Sequence, residues 1–186
     1  MEEKHIYLCF DPGKYNIGFS ILKDNGKLLH HDLLGIGISA LNQSVRLKKE
    51  HNIFINELEP ILEKISEKDY IYHVVFERFI PRMMQKGNIG ETTNIFIGTI
   101  LTLTTHKRMV YSLTAASWKN HRTKHNLFVE NKTIPDHILD SIQMGHYVLL
   151  NNNEITIGQI KSRLRKIKRT NFGWKFINKE KRWIKI

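Results

Sequence analysis

The stretch "HIYLCFDPGKYNIGFSILKDNGKLLHHDLLGIGI", residues 5–38, constrains the fold more than any other. It holds three short apolar runs broken by two turn signals. Residues 5–10 read as a buried strand that stops at Asp-Pro-Gly, and residues 17–22 read as the next strand. "KDNGK" at 23–27 carries Asn-Gly, the strongest short hairpin signal. Residues 28–38 supply a third strand. Three consecutive strands joined by tight turns make an antiparallel meander.

The period then changes. Leu41, Val45, Leu58, Ile61 and Ile65 belong to a set of apolar residues at helical spacing across 40–68, with glutamates between them. "YIYHVVFERF" (70–79) is apolar, β-branched and aromatic, and reads as a strand. Residues 92–106 read as a mostly buried helix, 108–113 as a short strand and 134–150 as a helix. "NNNE" (151–154) breaks that helix and a basic tail follows. The order β-β-β-α-β-α-β-α implies an α/β chain: a mixed sheet, antiparallel in its first three strands, with helices on both faces.

Charge is unevenly spread. The formal net charge is +11. Residues 155–186 hold eleven Lys/Arg against Glu180 alone, while the first 154 hold eighteen against seventeen acids. A domain ending this way is expected to meet a polyanion: nucleic acid first, an anionic membrane surface second. A solubilising tail is the plainer alternative. No run is apolar and long enough to span a bilayer, and the N-terminus does not have the pattern of a secretory signal. Cys9 is the single cysteine, so neither an internal disulfide nor a cysteine zinc site is expected. An intracellular, reducing location follows as an expectation.

Three elements carry residues able to hold a metal. Asp11 ends the first strand, where Asp-Pro-Gly is also ordinary turn chemistry. Glu77 sits in "VVFERF", costly to bury unless paired or ligating, or else reaching solvent at the strand end. In "PDHILDSIQMGHY", the spacings put Asp136, His137 and Asp140 on one helix face. Asp136 also suits a helix N-terminus, whereas Asp140 lies deeper between Leu139 and Ile142. Carboxylates converging from separate elements would bind Mg²⁺ or Mn²⁺. Two such ions about 4 Å apart can drive phosphodiester hydrolysis, and the basic tail supplies the partner for it.

These segments, in this order, resemble the RuvC-type Holliday-junction resolvases of the ribonuclease H-like superfamily. "FDPGKYNIGFSIL" is similar to their first-strand motif, with its aspartate followed by a Gly-containing second strand. "VVFERF" is similar to the motif carrying their glutamate, and "HILDSIQMGHY" to their last-helix motif. The last motif is nearest the poxvirus and phage branch, which would place the protein in the cytoplasm of an infected cell. The resemblance spans about residues 5–150, leaving 151–186 as a basic extension packed on or appended to the nuclease domain.

The resemblance implies a ribonuclease H-like fold and a two-metal endonuclease that cuts four-way DNA junctions as a homodimer. It assigns Asp11, Glu77 and Asp140 to metal binding. It points to His137 as the further ligand or proton carrier, with Asp136 its rival. Lys119, in "LTAASWKNHR", matches a lysine near the scissile phosphate, with a surface lysine as the alternative; Arg122 follows it as a DNA contact. Arg78, Arg82 and Lys86 fit phosphate contacts. Phe79 either wedges between bases or joins the core. The bacterial pattern has an aromatic three residues after the glutamate; here Ile80 stands there. In the tail, cations interleave with Phe172, Trp174, Phe176 and Trp183, a pattern suited to backbone contact and base stacking or to core packing. The helix at 92–106, with small residues Gly98 and Thr99, is the candidate dimer element. The alternatives are a nuclease for RNA–DNA hybrids, a transposase-like enzyme, or a non-catalytic nucleic-acid-binding module. The chain is too short for the duplicated domains of an actin-like kinase.

Overall fold

A computed structural model describes residues 4–12, 16–34, 56–61, 63–64, 70–78, 98, 108–178 and 182–186. Its main sheet has five strands: β1 (Lys4–Pro12), β2 (Ile17–Lys23), β3 (Leu28–Leu34), β4 (Tyr70–Glu77) and β5 (Arg108–Leu113). Their order across the sheet is β3-β2-β1-β4-β5. β1 pairs with β2, and β2 with β3, antiparallel, while β1–β4 and β4–β5 are parallel. The meander closes through the Asn-Gly turn, where Gly26 takes φ 74° and its N–H donates to the Lys23 carbonyl. Only a residue without Cβ adopts that conformation at no steric cost.

Asp11 stands at the end of β1, as expected, and the strand runs on through Pro12; the two pair with Gly18 and Ile17. β4 pairs with β1 only as far as Phe10, so the missing N–H of Pro12 costs the ladder nothing on that side.

The strands alternate between two cores. Tyr7, Cys9, Leu22 and Val75 point to one face, where they meet the helix α2 (Asp136–Asn151). Ile6, Leu8, Phe10, Phe19, Val74 and Phe76 point to the other, where Leu58 and Ile61 from helical residues 56–61 cover them. The remainder of the 40–68 pattern, nearly all of 92–106 and residues 35–38 of the third strand lie outside the described residues; Gly98 is helical and exposed, and Thr99 lies outside.

One helix was not foreseen. α1 (Ala115–Lys124) follows β5 directly, and its Thr114 N-cap accepts from the Ser117 N–H. It buries one side chain, Trp118, so no apolar periodicity announces it. The tail folds as α3 (Ile157–Arg169), opened by a Thr156/Gln159 capping box, and a hairpin of β6 (Trp174–Ile177) and β7 (Arg182–Lys185). Ile160, Leu164 and Ile167, at helical spacing, enter the α2-side core together with Trp174. Phe176 stays exposed beside the half-buried Trp183, ring centroids 5.4 Å apart.

α2 lies close on the sheet. A Cβ on Gly145 would stand 2.6 Å from Cys9 Sγ. At the next residue, buried His146 points Nε2 at the Gly26 carbonyl, 3.1 Å away, while its Nδ1 has no partner. Burial lowers its pKa from 6.5 to about 4. His73 and His31 shift the same way, to about 4, also chiefly by burial. The sign follows directly. Above pH 6.5 neither folded nor unfolded chain holds the extra proton. Between 6.5 and 4 only the unfolded chain binds it, so stability falls as pH falls. For His146 alone the loss at pH 4 is on the order of 3 kcal/mol. Urea denaturation from pH 7.5 to 4 should show it, with a steeper decline in wild type than in His146→Gln.

Candidate active site

The two-residue strand period aims the first two acids. Residues 7, 9 and 11 of β1, and 73, 75 and 77 of β4, share the α2 face. β1 and β4 run parallel with Phe10 opposite Phe76, so Asp11 and Glu77 stand one residue further on, at the same end of neighbouring strands. Asp11 is buried, at 6% exposure.

The first turn of α2 settles directly over this end. Gly18, opposite Asp11 in β2, permits it: a Cβ there would collide with the backbone carbonyl of His137. Ser141 fixes the helix further, its hydroxyl donating to the Ile138 carbonyl and lying 2.9 Å from the Ser20 hydroxyl. His137 Nδ1 thereby reaches Asp11 Oδ2 at 2.6 Å. That hydrogen bond, more than any other influence, raises the His137 pKa, and the charges of Asp11, Asp140 and Asp136 add to it against the effect of burial. Asp136 itself is exposed in the first turn.

Asp140 stands one turn after Asp136 and is three-quarters buried. Its pKa is pushed up to about 6, first by burial and next by the charge of Asp11, against the pull of Arg122, Lys119 and His137. Arg122 Nη1 lies 3.1 Å from Asp140 Oδ1 and 3.2 Å from Gln143 Oε1. Its guanidinium sits 5.1 Å from the centroid of Trp118.

Glu77 is held from α1. Trp118 Nε1 donates to Glu77 Oε2 at 2.7 Å, and Lys119 Nζ is 3.5 Å from the same oxygen. Lys119 also lies 4.8 Å over the Trp118 ring and remains 40% exposed. Trp118, Lys119 and Arg122 thus put one helix face against two acids. The sequence offered Lys119 and Arg122 as DNA contacts and did not single out Trp118. A lone tryptophan in a polar segment was the available signal.

Arg78 is exposed just past β4, its N–H donating to the Leu113 carbonyl at 2.8 Å. Phe79, Arg82 and Lys86 lie outside the described residues. Among the described residues, no three His, Cys, Asp or Glu side chains stand close enough to hold a metal ion. Asp11, His137 and Asp140 are near neighbours, while Glu77 is drawn to Trp118 and Lys119.

No family model matches the chain, and no curated protein matches it by sequence. Solved structures do match. Thermus thermophilus RuvC in complex with a Holliday junction substrate aligns with TM-score 0.57 at 12% identity, over 80% of this chain and 96% of that one. A second Thermus thermophilus RuvC structure aligns with TM-score 0.56 at the same identity and coverage. The fold is ribonuclease H-like. In this ribonuclease H-like frame, the four candidate ligands come from the ends of β1 and β4 and from the first turns of α2.

Trp118 is expected to matter beyond packing. Trp118→Phe keeps an aromatic body but removes the donor to Glu77. Partners that orient a ligand are worth roughly 10- to 100-fold in metal affinity or activity. Under the metal-dependent nuclease reading proposed for this chain, the variant should need more Mn²⁺ for half-maximal rate, beyond the modest loss of stability expected from shrinking a fully buried side chain. An unchanged Mn²⁺ dependence would count against an orienting role.

Proposed function

We propose that the chain is a structure-selective DNA endonuclease that resolves four-way junctions as a homodimer, using two Mg²⁺ or Mn²⁺ ions per site. The observation that carries this reading is the placement of Asp11 and Glu77 at one end of adjacent parallel strands, under a helix turn bearing His137 and Asp140. The fold likeness to RuvC, and the junction bound in one of those structures, support the choice of substrate. So does a tail with eleven cations and one acid.

The donor set fits hard cations. Asp11, Glu77 and Asp140 would supply oxygen ligands and His137 a nitrogen, with Glu77 turning from Trp118 and Lys119 toward the ions. Asp140 is unusually hard to ionise because it is buried beside another acid, an imbalance that added positive charge relieves. Arg122 and Lys119 supply part of that charge now, and the ions would take over from them. Bound there, the ions supply an activated water and neutralise the leaving oxygen. The chain's residues do the rest. His137 keeps Asp11 oriented through Nδ1 and is placed to accept or return a proton. Trp118 holds Glu77. Lys119, half-exposed beside Glu77, meets the scissile phosphate as a point charge. Residues 1–150 form the nuclease unit and 151–186 an extension toward DNA. Two nicks across a junction need two sites, which a twofold dimer provides.

A substrate panel tests this reading. Equal amounts of labelled four-way junction, linear duplex, three-way junction and RNA–DNA hybrid are incubated with protein and Mg²⁺. The junction should be cut fastest, with nicks paired across it. Faster cleavage of the hybrid would keep the chemistry and replace the substrate. Binding without cleavage of any substrate would favour a non-catalytic module.

A further inference from the structure

Between residues 126–129 and α3 runs a groove of about 500 Å³. Lys161, Arg165 and Lys168 line one wall, all exposed, and Phe128 lines the other. Leu164 is also part of the lining, and no acid is. The three cations sit at i, i+4 and i+7, one face of α3, and extend about 10 Å along its axis. α3 as a whole carries six Lys/Arg and no acid. Phe128 is 56% exposed. Its ring does not stand apart from the acids. Arg122 lies 5.1 Å from the Phe128 centroid and bonds Asp140 on its other side. The groove therefore opens beside the candidate active site, one side chain away from Asp140.

We propose that this groove guides one DNA strand to or from the acids, with phosphates along Lys161, Arg165 and Lys168 and an unstacked base on Phe128. Charge complementarity selects the occupant. A DNA strand carries a charge about every 3.4 Å of helix axis, so about three phosphates match the three cations. An exposed aromatic between cations gives a base a stacking face, which is available where strands part at a branch point. Arg122, touching both Phe128 and Asp140, links strand seating to the acid site. The inference rests on the nuclease reading above and adds the route of the strand.

Fluorescence anisotropy of a labelled four-way junction in EDTA tests it without requiring cleavage. The variants are Phe128→Ala, Phe128→Trp and the triple Lys161→Ala/Arg165→Ala/Lys168→Ala, each checked for wild-type circular dichroism. All four side chains are exposed, so these variants should fold. The triple variant should lower the log–log salt slope by about 2 to 3, since each phosphate contact contributes ~0.9. Phe128→Ala should bind about tenfold more weakly with little change in slope, and Phe128→Trp should bind like wild type. Wild-type affinity and slope in the triple variant overturn the groove. So does a weakened triple variant with Phe128→Ala unaffected, which leaves only general charge attraction. If wild type binds the junction and the groove variants match it, the groove fails while the nuclease reading stands. If wild type binds no DNA, both fail.

Discussion

Asp140→Asn is expected to abolish cleavage while leaving the fold intact. The substitution keeps the shape of a three-quarters buried side chain and removes its charge. That charge is disfavoured where it stands, by burial and by Asp11, which is why the pKa rises to about 6. Stability alone would not select a buried acid beside another acid. The variant gives up the ion pair with Arg122 Nη1 but also sheds repulsion from Asp11, so its unfolding midpoint should move little. Activity should behave differently. Metal ligation supplies several kcal/mol of transition-state stabilisation, and each 1.36 kcal/mol is tenfold in rate, so a loss of about 10³-fold or more is expected. Single-turnover cleavage and thermal unfolding on the same preparation separate the two effects. Retained cleavage by the folded variant would remove Asp140 from the chemistry.

Gly18→Ala should have the second largest effect, through position and not through chemistry. The added methyl would overlap the His137 carbonyl and stand 2.6 Å from the Ile138 nitrogen. Both are backbone atoms, so no side-chain rotation relieves the clash; the first turn of α2 must lift from β2. Overpacking of this kind costs about 1–3 kcal/mol or more. Lifting the turn also carries His137 away from Asp11, and a displacement near 1 Å can cost about 10²-fold in rate. Urea denaturation should show lower stability, and cleavage at the permissive temperature a lower rate. Wild-type values in both would mean that α2 does not sit as closely on Gly18 as described.

The meander was legible because its signals are local. Asn-Gly fixes one turn, and short apolar runs fix the strands on either side. Element order implied a mixed sheet and was compatible with a ribonuclease H-like topology, while the parallel pairing of β1 with β4 came only with the structure. Asp11, Glu77, His137 and Asp140 stood out as metal-capable residues, but their mutual geometry depends on contacts across the sheet. One of those was readable in principle: residues 7, 9 and 11 share a face, which aims Asp11 at α2. α1 was not readable, since it buries Trp118 alone and has no apolar stripe. The hold of Trp118 on Glu77 spans 41 residues of sequence, and that of Arg122 on Asp140 spans 18, so neither leaves a local pattern. The tail read as charge. Its helix is nonetheless marked by Ile160, Leu164 and Ile167 at i, i+4 and i+7, which share the core with Trp174.

Metal-dependent cleavage of an immobile four-way junction by the wild-type protein tests the central claim most directly. The junction carries a different label on each strand, and products are mapped to the nucleotide with Mg²⁺, with Mn²⁺ and with EDTA. Symmetric nicks in two opposed strands, present with either metal and absent in EDTA, are the predicted result. Tight junction binding with no nick in either metal, or nicking that persists in EDTA, would contradict the account.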